Sequence, residues 1–246
     1  MESNQSILKS FLLQDELNPF VWDLSKGGVE KMKPEIRERL LEIAYEFIEF
    51  LDVPVFVNDI ILTGSLSNYN WSKYSDFDLH IVANFSQYPE NQIELYEKLF
   101  NLKKIIFNKN HDITIFGYEV ELYVQNEVET HFSSGVYSVL FDEWSNEPEK
   151  EEFVVDKDLL KEKSRQWMNI IDGVIENIED EDMDTAKELV DKYKKKLKKY
   201  RTCGLEKDGE YSTENLVFKI LRRNGYIEKL HSLSTTILDK KLTMKQ

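Results

Sequence analysis

Hydrophobic positions recur every three or four residues between positions 34 and 51, which predicts an amphipathic helix that starts near Pro34. Residues 19–30, ahead of it, are expected to form an irregular lead-in that packs on the core. The later segments of this part of the chain are predicted as strands over 55–63 and 76–82, a helix over 89–106, and β-rich runs over 112–125 and about 135–142. Helices and strands therefore mix in this part.

The pattern changes after residues 142–152, a stretch that contains Glu and Pro. Only the helical period follows, and it predicts helices over 157–178, 183–201 and 212–238. We therefore predict the α+β class, with residues 1–150 forming a domain built on a mixed β-sheet with flanking helices. Residues 151–246 are predicted to form a second, all-helical domain.

The 246 residues include 32 Lys and Arg against 46 Asp and Glu, a formal net charge of −14. All of this excess lies in residues 1–150, which hold 12 basic and 26 acidic side chains, because residues 151–246 hold 20 of each. A chain this acidic is not a general DNA-coating protein, because phosphate binding depends on clustered Lys and Arg. The single cysteine, Cys203, excludes an internal disulfide. No apolar run approaches the ~20 residues of a membrane span, so we expect a cytoplasmic protein that has no membrane partner.

The chemistry-bearing pattern begins where a predicted strand ends at Gly64 and Ser65. A glycine lets the backbone approach a ligand closely, and a following helical turn would direct N–H groups and the Ser65 hydroxyl at an anion. After a gap of ten residues, Asp76 and Asp78 lie on one face of the next strand. Two carboxylates so placed repel each other unless a cation lies between them, and hard oxygen ligands suit Mg²⁺ or Mn²⁺.

A third carboxylate is expected from the run of residues 118–124, in which alternate positions are apolar. Glu119 and Glu121 both lie on its polar face, so a strand paired beside 76–82 would bring one of them against the aspartates. Glu121 lies deeper in the run, and we prefer it. Glu119 remains the alternative.

Taken together, the Gly-Ser pair, the Asp-x-Asp strand and the later acidic strand resemble the nucleotidyltransferase superfamily typified by DNA polymerase β, over residues 55–125. The sequence around Gly64 and Asp76 is also similar to nucleotidyltransferase-like proteins carried by bacteriophages. The resemblance implies a nucleotidyltransferase fold in which Gly64 and Ser65 hold NTP phosphates. It also implies that Asp76 and Asp78 bind two metal ions and that Glu121 binds the ion that activates the acceptor hydroxyl.

The implied function is metal-dependent transfer of a nucleoside monophosphate from an NTP to an acceptor hydroxyl, with release of pyrophosphate. Synthesis of oligo- or cyclic nucleotides and extension of an RNA 3′ end are equally compatible with the sequence. A catalytically silent NTP sensor, or a nucleic-acid-binding or partner-binding module on the same fold, is the alternative. Two features differ from the family: the third acid is Glu where Asp is common, and the gap lacks the Arg-Gly element of small antitoxin-type members.

Cationic side chains in the helical part are further candidates for binding a triphosphate or a nucleic acid. In the family, a cation from the helical domain often reaches the triphosphate, so Lys219, Arg222 and Arg223 are candidates for that role in a cleft between the domains. The lysine-rich helix 192–201 carries its lysines opposite an apolar stripe. It is predicted either as a solvated face or as a track for an RNA backbone or a triphosphate.

Overall fold

The computed structural model of the chain describes residues 10–23, 30–129, 133–150, 156–177 and 182–244. The chain divides into two compact units. The sheet unit contains residues 12–151, and the helical unit contains residues 152–246 together with Ser10 and Phe11. Helices and a mixed β-sheet are both present, which confirms the predicted α+β class.

The sheet unit contains eight strands and two α-helices among its described residues. In chain order these are β1 (Trp22–Asp23), β2 (Lys31–Met32), α1 (Pro34–Leu51), β3 (Val57–Thr63), β4 (Phe77–Ala83), α2 (Ile93–Asn110), β5 (Thr114–Ile115), β6 (Tyr118–Asn126), β7 (Val136–Ser138) and β8 (Glu143–Asn146). Of the short pair β1–β2, β1 lies within the predicted lead-in 19–30 and β2 follows it directly, and Gly27 and Gly28 lie outside the described residues. The edge strand β8 was missed by the sequence analysis.

Six strands form the main sheet in the order β5-β6-β4-β3-β7-β8. β3 is antiparallel to β4 and β7, whereas β4 and β6 run parallel. A parallel pair needs a crossover connection, and α2 lies in the chain between these two strands. The two strands that carry the predicted acidic residues are therefore direct neighbours in the sheet.

Two helices cover the core side of the sheet unit. α1 begins at Pro34, whose fixed φ and missing N–H suit a first helical position, and its apolar stripe is buried in the core. α2 packs against α1 and β6, and the ring of Phe107 lies 5.1 Å from that of Phe47 on α1. β4 and β6 alternate between buried apolar and more exposed polar positions, so one face of the sheet is left for polar side chains.

The described residues of the helical unit form four α-helices: α3 (Lys157–Asn177), α4 (Met183–Asp208), α5 (Thr213–Arg223) and α6 (Tyr226–Leu242). The single helix predicted over 212–238 was wrong, because Gly225 has a φ of +75° and separates α5 from α6. Glycine adopts that conformation at little cost, so the apolar period continues across a break in the backbone. None of the helices within the described residues has the length and apolar composition that a membrane crossing requires.

Candidate active site

The two aspartates lie at the beginning of β4, next to the end of β3. Asp76 immediately precedes the strand and Asp78 is its second residue, and both side chains are half-buried. Phe77 and Leu79, which alternate with them, are fully buried in the core. The strand pleat thus anchors the apolar residues and directs both carboxylates to the polar face.

The third carboxylate comes from the neighbouring parallel strand. Asp78 is the register partner of Glu121 on β6, and one carboxylate oxygen from each of Asp76, Asp78 and Glu121 can be chosen so that the three lie within 4.8 Å of one another. We call these three residues the acidic group. Glu119, the alternative, pairs with Thr114 on β5 and is not part of the group. The preference for Glu121 therefore agrees with the geometry.

The acidic group offers only carboxylate oxygens at a spacing at which negative charges repel strongly. Hard divalent cations such as Mg²⁺ and Mn²⁺ prefer this donor type, whereas zinc sites commonly use nitrogen or sulfur donors. Two half-buried carboxylates and one exposed carboxylate leave the group open on one side. The residues present therefore fit a divalent ion that is shared with a phosphate-bearing ligand.

The Gly64 turn, residues 64–67, brings the backbone against this group. Gly64 has φ +76° and ψ −159°, and the 3₁₀ turn Ser65–Ser67 follows it directly. A Cβ added at Gly64 would lie only 1.8 Å from Oδ2 of Asp78. Both the backbone conformation and the space therefore require a glycine, and the turn predicted to hold phosphates contacts the predicted metal ligand.

The Ser65 hydroxyl contacts the segment that leads into β4. Its Oγ lies 2.7 Å from Oγ of Ser75, which also accepts a hydrogen bond of 2.9 Å from the backbone N–H of Ser72. Ser75 directly precedes Asp76 in the chain. Ser65 therefore links the Gly64 turn to the acidic group, and its predicted contact with phosphate stays a prediction.

The buried Asn68, which the sequence analysis missed, hydrogen-bonds the same turn. Asn68, 2% exposed, donates from Nδ2 to the carbonyl of Gly64 over 2.6 Å and to Oγ of Ser133 over 2.7 Å. Its Oδ1 accepts from the N–H of Gly135 over 2.8 Å and from the hydroxyl of Ser134 over 2.7 Å. The only sequence signal was the proximity of Asn68 to the Gly-Ser pair, because its other partners, Ser133, Ser134 and Gly135, lie more than sixty residues away.

His80 continues the polar face of β4 beyond Asp78. Its Nδ1 lies 2.7 Å from Oε1 of the buried Gln125, and its ring meets Tyr123 edge to face with the centroids 5.2 Å apart. The acidic group recorded among the described residues does not include it. These contacts support a scaffold role for His80.

Comparisons with models of protein families, with curated proteins and with solved structures find no match to this chain.

The predicted triphosphate contacts lie in the helical unit, on α5. Lys219 is partly buried, and burial, aided by the charges of Arg201, Arg222 and Arg223, lowers the pKa of its ammonium group, with Glu210 opposing. Arg222 is exposed, and its side chain makes no hydrogen bond or ion pair with another residue in the described part of the chain. The role of Lys219 and Arg222 on a triphosphate stays a prediction.

The lysine-rich segment 192–201 lies on α4, and its lysines flank the buried stripe on both sides. Lys196 lies over the ring of Trp167 on α3, with Nζ 5.8 Å from the ring centroid. Lys194, Lys195 and Lys198 line a cavity of about 540 Å³. The lysines other than the half-buried Lys194 are exposed and Leu197 of the apolar stripe is buried, which agrees with the predicted separation, and three of the lysines also border an apolar cavity.

Proposed function

We propose that this protein is a divalent-metal-dependent nucleotidyltransferase, which moves a nucleoside monophosphate from an NTP to an acceptor hydroxyl. The observation that carries the proposal is the convergence of Asp76, Asp78 and Glu121 beside the Gly64 turn. The central strands β3, β4 and β6, with β4 antiparallel to one neighbour and parallel to the other, support the nucleotidyltransferase fold as part of this proposal.

In this reaction the acceptor oxygen bonds to the α-phosphorus of the NTP, and the bond from that phosphorus to the oxygen bridging to the β-phosphorus breaks. Pyrophosphate leaves, and the hydroxyl proton passes to solvent. Asp76, Asp78 and Glu121 would hold Mg²⁺ or Mn²⁺, which when bound would lower the pKa of the acceptor hydroxyl and neutralise charge on the pyrophosphate.

Residues of the chain position a bound phosphate relative to the carboxylates of the acidic group. The Gly64 turn is fixed by Asn68 and contacts Asp78, so a phosphate held by the turn lies beside the acidic group. Ser65 connects the same turn to Ser75, which leads into Asp76. The Gly64 turn and the carboxylates are thereby placed together before any ligand binds, which lowers the entropic cost of binding.

The test compares the double variant D76N/D78N with the wild type and with the matched control Glu119→Gln. Glu119 lies two residues from Glu121 on the same strand but outside the acidic group. We expect D76N/D78N to lose Mg²⁺-dependent pyrophosphate release from NTPs, and Glu119→Gln to retain it. Unchanged turnover in D76N/D78N would refute the proposal.

Metal binding gives a second readout that does not need a known acceptor. Because three close carboxylates repel, D76N/D78N should raise the thermal midpoint of the metal-free protein and abolish the further rise caused by Mn²⁺. Stabilisation of the wild type by NTP without any pyrophosphate release would favour the silent sensor instead. Product analysis with labelled NTPs, with and without RNA, separates cyclic or oligomeric nucleotides from an extended RNA.

A further inference from the structure

The cavity beside the lysine-rich segment lies within the helical unit, between α4 on one side and α5 and α6 on the other. We call it the basic groove. Its floor is apolar and includes the buried Leu197 and Leu230 together with Phe218. None of the described residues that line it carries a carboxylate. A cavity with an apolar floor and a charged wall is built for a ligand that has both an apolar and an anionic part.

The charges of the basic groove all lie on one wall. Lys194, Lys195, Lys198 and Arg201 come from α4, and the first and last of them are seven residue steps apart, or about 10 Å of helix. None of these lysines forms an ion pair within the described residues. Four neighbouring cations without acidic partners are unusual in a chain of net charge −14, and they create a local positive potential that attracts anions.

Arg201 is held rigidly in this wall. Its Nε donates to Oδ1 of Asn215 over 3.1 Å, and its guanidinium lies 4.6 Å from the ring centroid of Phe218. That bond is the one hydrogen bond of its guanidinium within the described part of the chain, so both NH₂ groups face no protein acceptor there. A fixed guanidinium with free donors is well suited to bind a phosphate.

The opposite wall adds no charge at neutral pH. Ile227 is apolar, and burial together with the charge of Lys194 lowers the pKa of His231, which keeps its ring neutral. An acidic amphipathic helix carries charge on both sides of its apolar face and would need cations on both walls. A single nucleic-acid strand carries phosphates on one side and base faces on the other, which matches this asymmetry.

We propose that the basic groove binds single-stranded nucleic acid, with phosphates along the α4 wall and bases on the apolar floor. Double-stranded nucleic acid stacks its bases inside the helix and cannot fill the floor. The apolar floor offers few hydrogen-bonding groups to the edges of the bases, so binding is expected to depend little on the nucleotide sequence. This inference does not depend on the acidic group or on the proposed transfer reaction.

Fluorescence anisotropy of a labelled 12-nucleotide oligouridine on the full chain tests the proposal. K195E/K198E reverses two groove lysines, and the matched control K192E/K199E reverses two equally exposed lysines of the same helix that do not line the groove. We expect at least tenfold weaker binding in the first variant and less than threefold in the second. Four phosphate contacts predict a salt slope of about −3 for the wild type, reduced by about 1.4 in K195E/K198E.

A second experiment changes the ligand and uses the wild-type protein. An abasic strand with the same phosphates should bind the wild type at least tenfold more weakly, because it leaves the floor empty. Equal binding of both strands, equal weakening by both lysine pairs, or equally effective competition by an oligoglutamate of the same charge would each overturn the proposal, as would absence of binding. D76N/D78N should bind oligouridine as the wild type does, so failure of the transfer reaction and failure of the groove are separable.

Discussion

Replacement of Gly64 by alanine is the most direct test of the contact between the Gly64 turn and the acidic group. The backbone of Gly64, at φ +76° and ψ −159°, lies in a region that is essentially restricted to glycine, and a non-glycine residue there costs about 1–3 kcal/mol. The new Cβ would also lie 1.8 Å from Oδ2 of Asp78, so this carboxylate must turn away. Displacing it from its rotamer adds about 0.5–1.5 kcal/mol. Together these terms predict a loss of about 2–4 kcal/mol in the free energy of unfolding.

Gly117→Ala is the matched control. Gly117 lies in the turn between β5 and β6 with φ +82°, and no atom lies within 4 Å of an added Cβ. It therefore carries the backbone strain without the clash, and we expect a loss of about 1–2 kcal/mol. Only Gly64→Ala moves a carboxylate of the acidic group, which we propose to bind the metal, so only this variant should lose affinity for Mn²⁺.

Urea unfolding at fixed pH gives the two free energies, and calorimetric titration of the folded proteins with Mn²⁺ gives the affinities. The reasoning is refuted if the free energy of unfolding of Gly64→Ala differs from that of the wild type by less than about 0.5 kcal/mol, which is the usual scatter of surface substitutions. It is also refuted if both alanine variants lose the same stability and bind Mn²⁺ equally. The first outcome would mean that the turn is not strained, and the second that it does not contact Asp78.

Two further variants test other parts of the structure by urea unfolding. Asn68→Ala removes the donor to the carbonyl of Gly64 and leaves buried partners unsatisfied, so it should cost about 2–3 kcal/mol, whereas no loss would show that the network is not formed. Lys219→Met should raise the free energy of unfolding by about 1 kcal/mol at neutral pH, because it removes a desolvated charge beside three arginines. Since the pKa of Lys219 is lowered in the folded state, the unfolded state binds more protons in the pH range between that lowered pKa and the ordinary value of 10.5. Wild-type stability should therefore rise with pH toward that value, and it should rise less in Lys219→Met; identical pH profiles would contradict this reasoning.

The sequence was sufficient for the parts of the fold that depend on local periodicity. α1 begins and ends as predicted, because Pro34 and the apolar stripe through Leu51 act within one helix. The alternation in β4 likewise placed Asp78 on the polar face. Each of these features is determined by residues that are close in the chain, which is where sequence patterns carry most information.

The features that sequence reasoning missed depend on distant contacts or on backbone conformation. Asn68 is buried only because residues 133–135 fold over it, and no local pattern signals that contact. Gly225 interrupts a continuous apolar period, so periodicity alone joined α5 to α6. The strand β8 is an edge strand with mostly exposed residues, and it lacks the apolar alternation by which strands are recognised.

The choice between Glu119 and Glu121 shows most clearly what the fold adds. A shift of β6 by two residues would keep every apolar side chain on the core face, so the alternation permits either glutamate beside Asp78. The register of β6 against β4 is fixed by contacts that β6 makes with other elements. Tyr118 pairs with Ile115 across a tight turn, and the side chain of Asn108 on α2 bonds both the N–H and the carbonyl of Leu122, over 3.3 and 3.2 Å. A two-residue shift would break these contacts, so the turn and the crossover helix together select Glu121.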